Sequence, residues 1–335
     1  MQVRSLHIKA PWQTELRQRE LAAPSAGWVR VRVEACGICG TDLSSIQQQA
    51  QWGAAGHEVA GVVDAVGPGV DTVAIGTRVL LESSSYCGRC DLCRDGRVDL
   101  CRDKVPNFWN GECMGFGDAM LAHEDCLVPY SGLSAAEACL AEPVGVALDL
   151  VQTARIEFGE SVLLVGPGPI GLAAIALARH RGASRIVAIG TPDSERRLEL
   201  AKEFGAETIA HAGNLAALKQ LHRSFDHVLV TAPTHTIPQA MAFLAYGGEL
   251  SYVGIGHSDG TISFDANDFH FRKLQLRASY AVPATRFPAV LRLMQAGIVP
   301  AGRLISHTFQ LSQAAEAFAV CRDRRREIVK VILTP

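Results

Sequence analysis

Val162-Leu163-Leu164-Val165-Gly166-Pro167-Gly168-Pro169-Ile170-Gly171 sits near the middle of a 335-residue chain, and its reading decides the fold. Four apolar residues run into a G-x-G-x-x-G, and the alanine-rich stretch 172–180 that follows has good helix propensity, with a stop at Gly182. The order is strand, tight turn, helix. In that setting Gly166 lets the chain turn, Gly168 lets the backbone approach a pyrophosphate, and Gly171 lets the helix pack close to the strand. Pro169 and Ile170 lie in the same turn, where the first helical amides and the helix dipole favour negative charge. A glycine-rich loop without these flanks would carry no such meaning; with them, the stretch reads as a dinucleotide site.

Composition bounds the rest. With 48% hydrophobic and 20% charged residues the chain can bury one or two cores of ordinary domain size. Its formal charge of −2 comes with interspersed signs, so there is no basic stripe for nucleic acid. The short cluster R-D-R-R-R-E at 322–327 reads as a solvated surface. Residues 1–20 alternate polar and apolar and lack the apolar core of a signal peptide. The longest apolar run, 162–178, is broken by Gly-Pro-Gly-Pro, which a membrane helix tolerates badly. The expectation is a cytoplasmic protein with no membrane partner. In such a chain ten cysteines point to metal or chemistry before disulfides.

The first half reads as β-rich. Residues 28–35, W-V-R-V-R-V-E-A, alternate so that Val29, Val31 and Val33 share a buried face. That strand leads into Cys36-Gly37-Ile38-Cys39-Gly40-Thr41-Asp42, and a second strand-like run, 59–66, follows Gly56-His57-Glu58. A thiol, an imidazole and a carboxylate near strand ends are a plausible zinc set, although C-x-x-C also fits a redox pair. Cys87, Cys90, Cys93 and Cys101 are more specific: C-x₂-C-x₂-C-x₇-C gathers four thiolates in a loop with almost nothing apolar to fold around. A closed Cys₄ zinc would supply the missing cross-link and would be structural. An iron–sulfur cluster is the competing reading. Its ferredoxin pattern places the fourth cysteine earlier and a proline after it, where this chain has Arg102.

Taken in order, G-I-C-G-T-D, G-H-E, the four-cysteine loop, Ala141-Glu142-Pro143, G-P-G-P-I-G and Val253-Gly254-Ile255-Gly256 resemble the zinc-containing medium-chain dehydrogenases, in particular their polyol (sorbitol-like) and threonine branch. The resemblance covers the whole chain. It implies an α/β protein: a β-rich, GroES-like catalytic domain at 1–150, a Rossmann domain with a doubly wound parallel sheet at 151–278, and a tail, 279–335, that returns to the first domain. It implies Cys39, His57 and Glu142 as ligands of a catalytic zinc, with Glu58 either a ligand or an exchangeable neighbour, and Cys36 a bystander. Glutamate at 142, where alcohol dehydrogenases carry cysteine, points to the polyol and threonine branch. Thr41 resembles the hydroxyl that accepts the substrate proton, and Asp42 would orient the His57 ring. Relatives often continue the proton path with a histidine where this chain has Ser44. The chain also departs at Asp118-Ala119-Met120-Leu121, in place of F-A-E-Y, and at Asp149, in place of histidine, both where specificity is usually set.

The second half alternates strand-like and helix-like stretches, as a parallel sheet covered by helices requires: 185–189, 195–204, 225–230 and 249–253. The resemblance adds a nicotinamide contact at Val253, Gly254 and Ile255. An acidic residue about 20 positions after the first glycine would bind the ribose 2′-OH of NAD; Gly190-Thr191 stands there instead. Asp193 reads as a helix cap, and Arg196 and Arg197 could meet a 2′-phosphate, so the cofactor reading leans to NADP. From 274 onward the pattern gives a strand at 274–280, helices at 287–296 and from 313, and a last strand at 328–333. The expected function is zinc-dependent, NAD(P)-linked oxidation of a secondary hydroxyl of a polyol, sugar or sugar acid to a ketone, in a homo-oligomer of two or four chains. An amino alcohol such as threonine is the alternative substrate class, and a non-enzymatic iron–sulfur carrier is the alternative outside enzymes.

Overall fold

The computed structural model describes residues 1–105, 113–254, 260–282 and 284–335. The strand at Ser161–Val165 ends at Gly166, whose φ of +100° turns the chain as only glycine does comfortably. Gly168 then caps the helix Pro169–Arg181, which closes on the left-handed Gly182. Around this unit a six-stranded sheet takes the order Thr208–His211, Arg185–Gly190, Ser161–Val165, Phe225–Val230, Leu244–Tyr252, Gln275–Ala278, with every pairing parallel. Numbered along the chain this is 3-2-1-4-5-6, the doubly wound arrangement whose strand order reverses beside the glycine turn. The strand Thr208–His211, short and only partly apolar, is one the periodicity does not announce.

The second large sheet is built from both ends of the chain. Its order is Ile305–Gln310, Lys330–Thr334, Trp28–Gly37, Glu58–Val66, Arg78–Leu81, Leu127–Pro129, with Ala119–His123 also on Trp28–Gly37. The tail therefore closes the first unit, Ile332 opposite Gly37 and Leu333 opposite Cys36. A small sheet of Gln13–Glu20, Gln2–Lys9 and Gly53–Ala54 flanks it. The helix Ala141–Thr153 ties the two units together. Its apolar face joins a core that runs from Ala35 and Ala60 in one sheet to Leu164 and Leu229 in the other. Burial on this scale, at roughly 25 cal/mol per Å² of apolar surface, dominates the stabilisation.

The segment Asp118-Ala119-Met120-Leu121 is held by structural contacts. Asp118 accepts three hydrogen bonds from the Arg4 guanidinium, the closest at 2.7 Å, and a fourth from the Arg4 amide, tying the first strand down. Met120 is fully buried in the core of the first unit. Cys36, Cys113, Cys126, Cys139 and Cys321 are buried and form no disulfide among the described residues. No helix among the described residues is long and apolar enough to cross a membrane.

Candidate metal centre and dinucleotide cradle

The strand Trp28–Gly37 delivers the chain to Cys39, which caps the helix Gly40–Gln48. A helix N-terminus favours a negatively charged group, and the Cys39 sulfur occupies it. Asp42, in the first turn, accepts from the Cys39 amide at 2.8 Å and from the Gly56 amide at 3.3 Å, so one carboxylate ties the C-G-T-D turn to the G-H-E turn. Its Oδ1 lies 3.8 Å from His57 Nδ1, beyond hydrogen-bond length but close enough for charge to act on the ring. Thr41 is exposed, its hydroxyl 3.8 Å from the Cys39 sulfur.

Ligand atoms of Cys39, His57 and Glu58 lie within 4.8 Å of one another. Glu142, in the first turn of the bridging helix, is not in that tight group, but it is near enough for His57, Glu58, Lys330 and Asp42 all to act on its charge. Burial pushes the Glu142 carboxyl up to about 7; His57 and Lys330 pull it down, while Glu58 and Asp42 push it further up. For His57, burial works to lower the pKa and is outweighed by Cys39, Asp42 and Glu142, leaving the ring well above its ordinary value. The set offers a sulfur, a ring nitrogen and carboxylate oxygens facing one another. A divalent ion that takes S, N and O ligands fits it.

One residue of this cluster is absent from the sequence reading. Lys330, on the last strand, is 4% exposed and donates to both oxygens of Glu58 at 2.6 and 2.8 Å and to the Ile38 carbonyl at 3.0 Å. Glu58 itself is 0% exposed and packs over Gly37, where a Cβ would come within 2.0 Å of Glu58 Oε2. The available signal was a lone lysine inside the apolar run 328–333.

The four-cysteine loop closes on itself. Cys87 and Cys93 sulfurs are 4.0 Å apart, Cys90 and Cys101 3.9 Å, and Cys87 and Cys101 3.6 Å. A tetrahedron with metal–sulfur distances of about 2.3 Å has edges of about 3.8 Å. The Cys87 amide donates to Cys101 Sγ and the Cys90 amide to Cys87 Sγ, which favours the ionised thiols that a metal needs. Among the described residues, Cys90, Cys93 and Cys101, with Cys87, Leu92 and Val98 against them, form the loop's core.

In the glycine turn, a Cβ on Gly171 would lie 2.3 Å from the Gly166 carbonyl, whereas one on Gly168 would meet nothing within 4 Å. Gly171 is thus fixed by packing, and Gly168 faces open space at the mouth of the sheet, bordered by Pro169 and Ile170. Val253 and Gly254 follow the strand Leu244–Tyr252, while Ile255 lies outside the described residues. At the end of Arg185–Gly190 a Cβ on Gly190 would press on Ser194 at 2.9 Å and on Leu198 and Pro167 at 3.1 Å, so there is no room for an acidic side chain. Thr191 is exposed and its hydroxyl pairs with Ser194 at 3.2 Å. The expectation for Arg197 needs correction: its guanidinium donates to the carbonyls of Arg325, Ile328 and Asp193 and to Ser194 Oγ, a set of structural contacts that turn it into the protein. Arg196 stays exposed, and Asp193 pairs with Arg326 at 3.0 Å.

Comparison with known proteins agrees with this geometry. Residues 25–132 match the alcohol dehydrogenase GroES-like domain and residues 169–296 the zinc-binding dehydrogenase model. The chain is 27% identical to L-galactonate-5-dehydrogenase of Escherichia coli (strain K12), over 98% of each chain. It is 30% identical to sorbitol dehydrogenase of Bacillus subtilis (strain 168), over 92% of this chain and 90% of that one. Among solved structures, an alcohol dehydrogenase of E. coli CFT073 complexed with NADH superimposes with a TM-score of 0.88 at 25% identity, over 100% of this chain and 99% of that one. A closed-up four-thiol loop, a thiol–imidazole–carboxylate cluster and a doubly wound sheet with its glycine turn thus occur together in a chain that belongs to the zinc-containing medium-chain dehydrogenases, in their polyol and threonine dehydrogenase branch.

Proposed function

We propose that the protein oxidises a secondary hydroxyl of a polyol, sugar or sugar acid to a ketone, with zinc at Cys39, His57 and Glu142 and NADP as hydride acceptor. The observation that carries this reading is the Cys39–His57–Glu58 cluster, gathered within 4.8 Å and coupled in charge to Glu142. Zinc held there would supply a Lewis acid for the substrate hydroxyl, and a bound nicotinamide would supply the hydride acceptor. The chain's own residues do the rest. Lys330 donates to both oxygens of Glu58, which supports reading Glu58 as a neighbour of the metal and Glu142 as its carboxylate ligand. Asp42 biases the His57 ring by charge, and the exposed Thr41 hydroxyl beside Cys39 takes the substrate proton, with water or the cofactor ribose continuing the path where Ser44 replaces a histidine. Cys87, Cys90, Cys93 and Cys101 hold a second, structural zinc. The preference for NADP rests on the absence of room for a carboxylate at Gly190 and on the exposed Arg196. The same reading divides the chain at 1–150, 151–278 and 279–335 and makes it a cytoplasmic homo-oligomer.

Nicotinamide reduction followed by absorbance, across polyols, sugar acids and amino alcohols with NAD and NADP side by side, tests the assignment. A signal confined to amino alcohols would move the substrate to the threonine class, and stoichiometric iron would overturn the zinc reading. Silence throughout, with no cofactor binding, would overturn the enzyme reading. The cradle has its own test. Gly168→Ala should leave the thermal midpoint nearly unchanged, because the added carbon meets open space, yet weaken dinucleotide binding at least about tenfold. Equal affinity in a titration of NADPH fluorescence would remove Gly168 from the site. For the four-cysteine loop, Cys93→Ser should lower bound zinc to half of the wild-type content and drop the unfolding midpoint by at least about 5 °C. Unchanged zinc content by elemental analysis would refute the structural site.

A further inference from the structure

The neighbourhood of Asp149 carries information about the substrate. Asp149 is seven residues after Glu142 on the helix Ala141–Thr153, hence on the same face and about 10 Å further along. One of its oxygens accepts from the Ser279 hydroxyl at 2.7 Å, and the other faces Arg286 Nη2 at 3.5 Å. That is the one contact the Arg286 guanidinium makes among the described residues, although it has five donors, and its buried Nε has no partner. The opposite wall comes from the strand Arg78–Leu81. Leu81 pairs with Val59, so the chain that follows leaves the sheet beside Glu58. There Ser84 is 1% exposed with its hydroxyl unpartnered, and its carbonyl accepts from the Ala284 amide at 3.0 Å, two residues from Arg286. Next to Ser85, held by the Val105 amide, Lys104 lies 5.4 Å over the Tyr280 ring and makes no ion pair among the described residues. Unspent donors and a second cation thus lie on segments that adjoin Ser279 and Arg286, which Asp149 holds about two helical turns from Glu142.

We propose that Arg286, positioned by Asp149 and flanked by Ser84 and Lys104, is the subsite for a substrate carboxylate, so that the substrate is an open-chain sugar acid and not a neutral polyol. The inference rests on the dehydrogenase reading above and narrows it. A guanidinium meets a carboxylate through paired, charge-assisted hydrogen bonds that a hydroxymethyl group cannot replace. Ser84 would give the hydroxyl donor next to it.

The test uses the zinc-loaded enzyme with matched pairs, gluconate against sorbitol and galactonate against galactitol. The sugar acid of at least one pair should show the higher kcat/KM, by about tenfold or more. Arg286→Met should raise the KM for that acid at least about tenfold and collapse the acid-to-alditol ratio, and Arg286→Lys should restore part of it. Calorimetric titration of the same acid into the NADPH complex should show the same loss in Arg286→Met, with a thermal midpoint within a few degrees of wild type. Turnover of the alditols alone would overturn this inference and leave the dehydrogenase reading in place. A drop in Arg286→Met that is equal for acid and alditol would also overturn it. No turnover and no cofactor binding would sink the broader reading first, and no binding of the acids in the titration would sink the carboxylate subsite independently.

Discussion

Replacing His57 with alanine is expected to abolish turnover, a loss of at least about a thousandfold, while the protein stays folded. The ring is 3% exposed and sits among Cys39, Asp42 and Glu58, so under the zinc assignment proposed above its removal deletes the nitrogen ligand. Losing only a partner of a metal ligand typically costs about 10- to 100-fold, and losing the ligand itself costs more. The fold should persist because His57 lies in a turn before the strand Glu58–Val66, whose pairing with Trp28–Gly37 involves backbone and apolar side chains that the change leaves intact. Steady-state rates, zinc per chain and the thermal midpoint should be measured together. Turnover within tenfold of wild type would show that the catalytic assignment is wrong, and a collapsed midpoint would show that His57 is a packing residue.

The second large effect belongs to Lys330. Lys330→Met leaves the Glu58 carboxylate fully buried without its cation, and breaking a buried ion pair from one side costs about 3–5 kcal/mol. The neighbours of Lys330 raise its pKa, with burial opposing and Glu58 and Cys39 prevailing. A cation with a raised folded-state value contributes stability that is fully present below the unfolded lysine value of about 10.4 and is lost only as pH rises through the folded one. The deficit in Lys330→Met should therefore hold steady between about pH 6 and pH 9. Adding Glu58→Gln should recover much of it, because the second change removes the stranded charge. Urea unfolding of the single and double variants checks both points, and full stability in the single variant would mean that water reaches Glu58.

A contrast with Arg197 shows what a linear reading can and cannot recover. Both residues are cations whose role is set by a distant stretch of chain. Arg197 looked available to a phosphate because its own helix leaves it on an early turn, but carbonyls of Arg325 and Ile328, 128 and 131 residues away, take up its donors. Asp118 and Met120 also depend on distant chain: Asp118 anchors Arg4, 114 residues away, and Met120 packs in the core of the first unit.

What the sequence by itself determined is local. The glycine turn needs only ten consecutive residues, the four thiols fall within one loop, and alternation marks the strand Trp28–Gly37, because in each case neighbours in the chain are also neighbours in space. The family series of motifs rests on the same short patterns. Tertiary structure alone decided which distant groups share a buried volume: that the last strand brings Lys330 to Glu58 across 272 residues, and that Asp149 meets Ser279 and Arg286 across 130 and 137. A long-range ion pair leaves no periodicity in the sequence, since its partners are joined by the closing of a sheet and held by the cost of burying either charge alone.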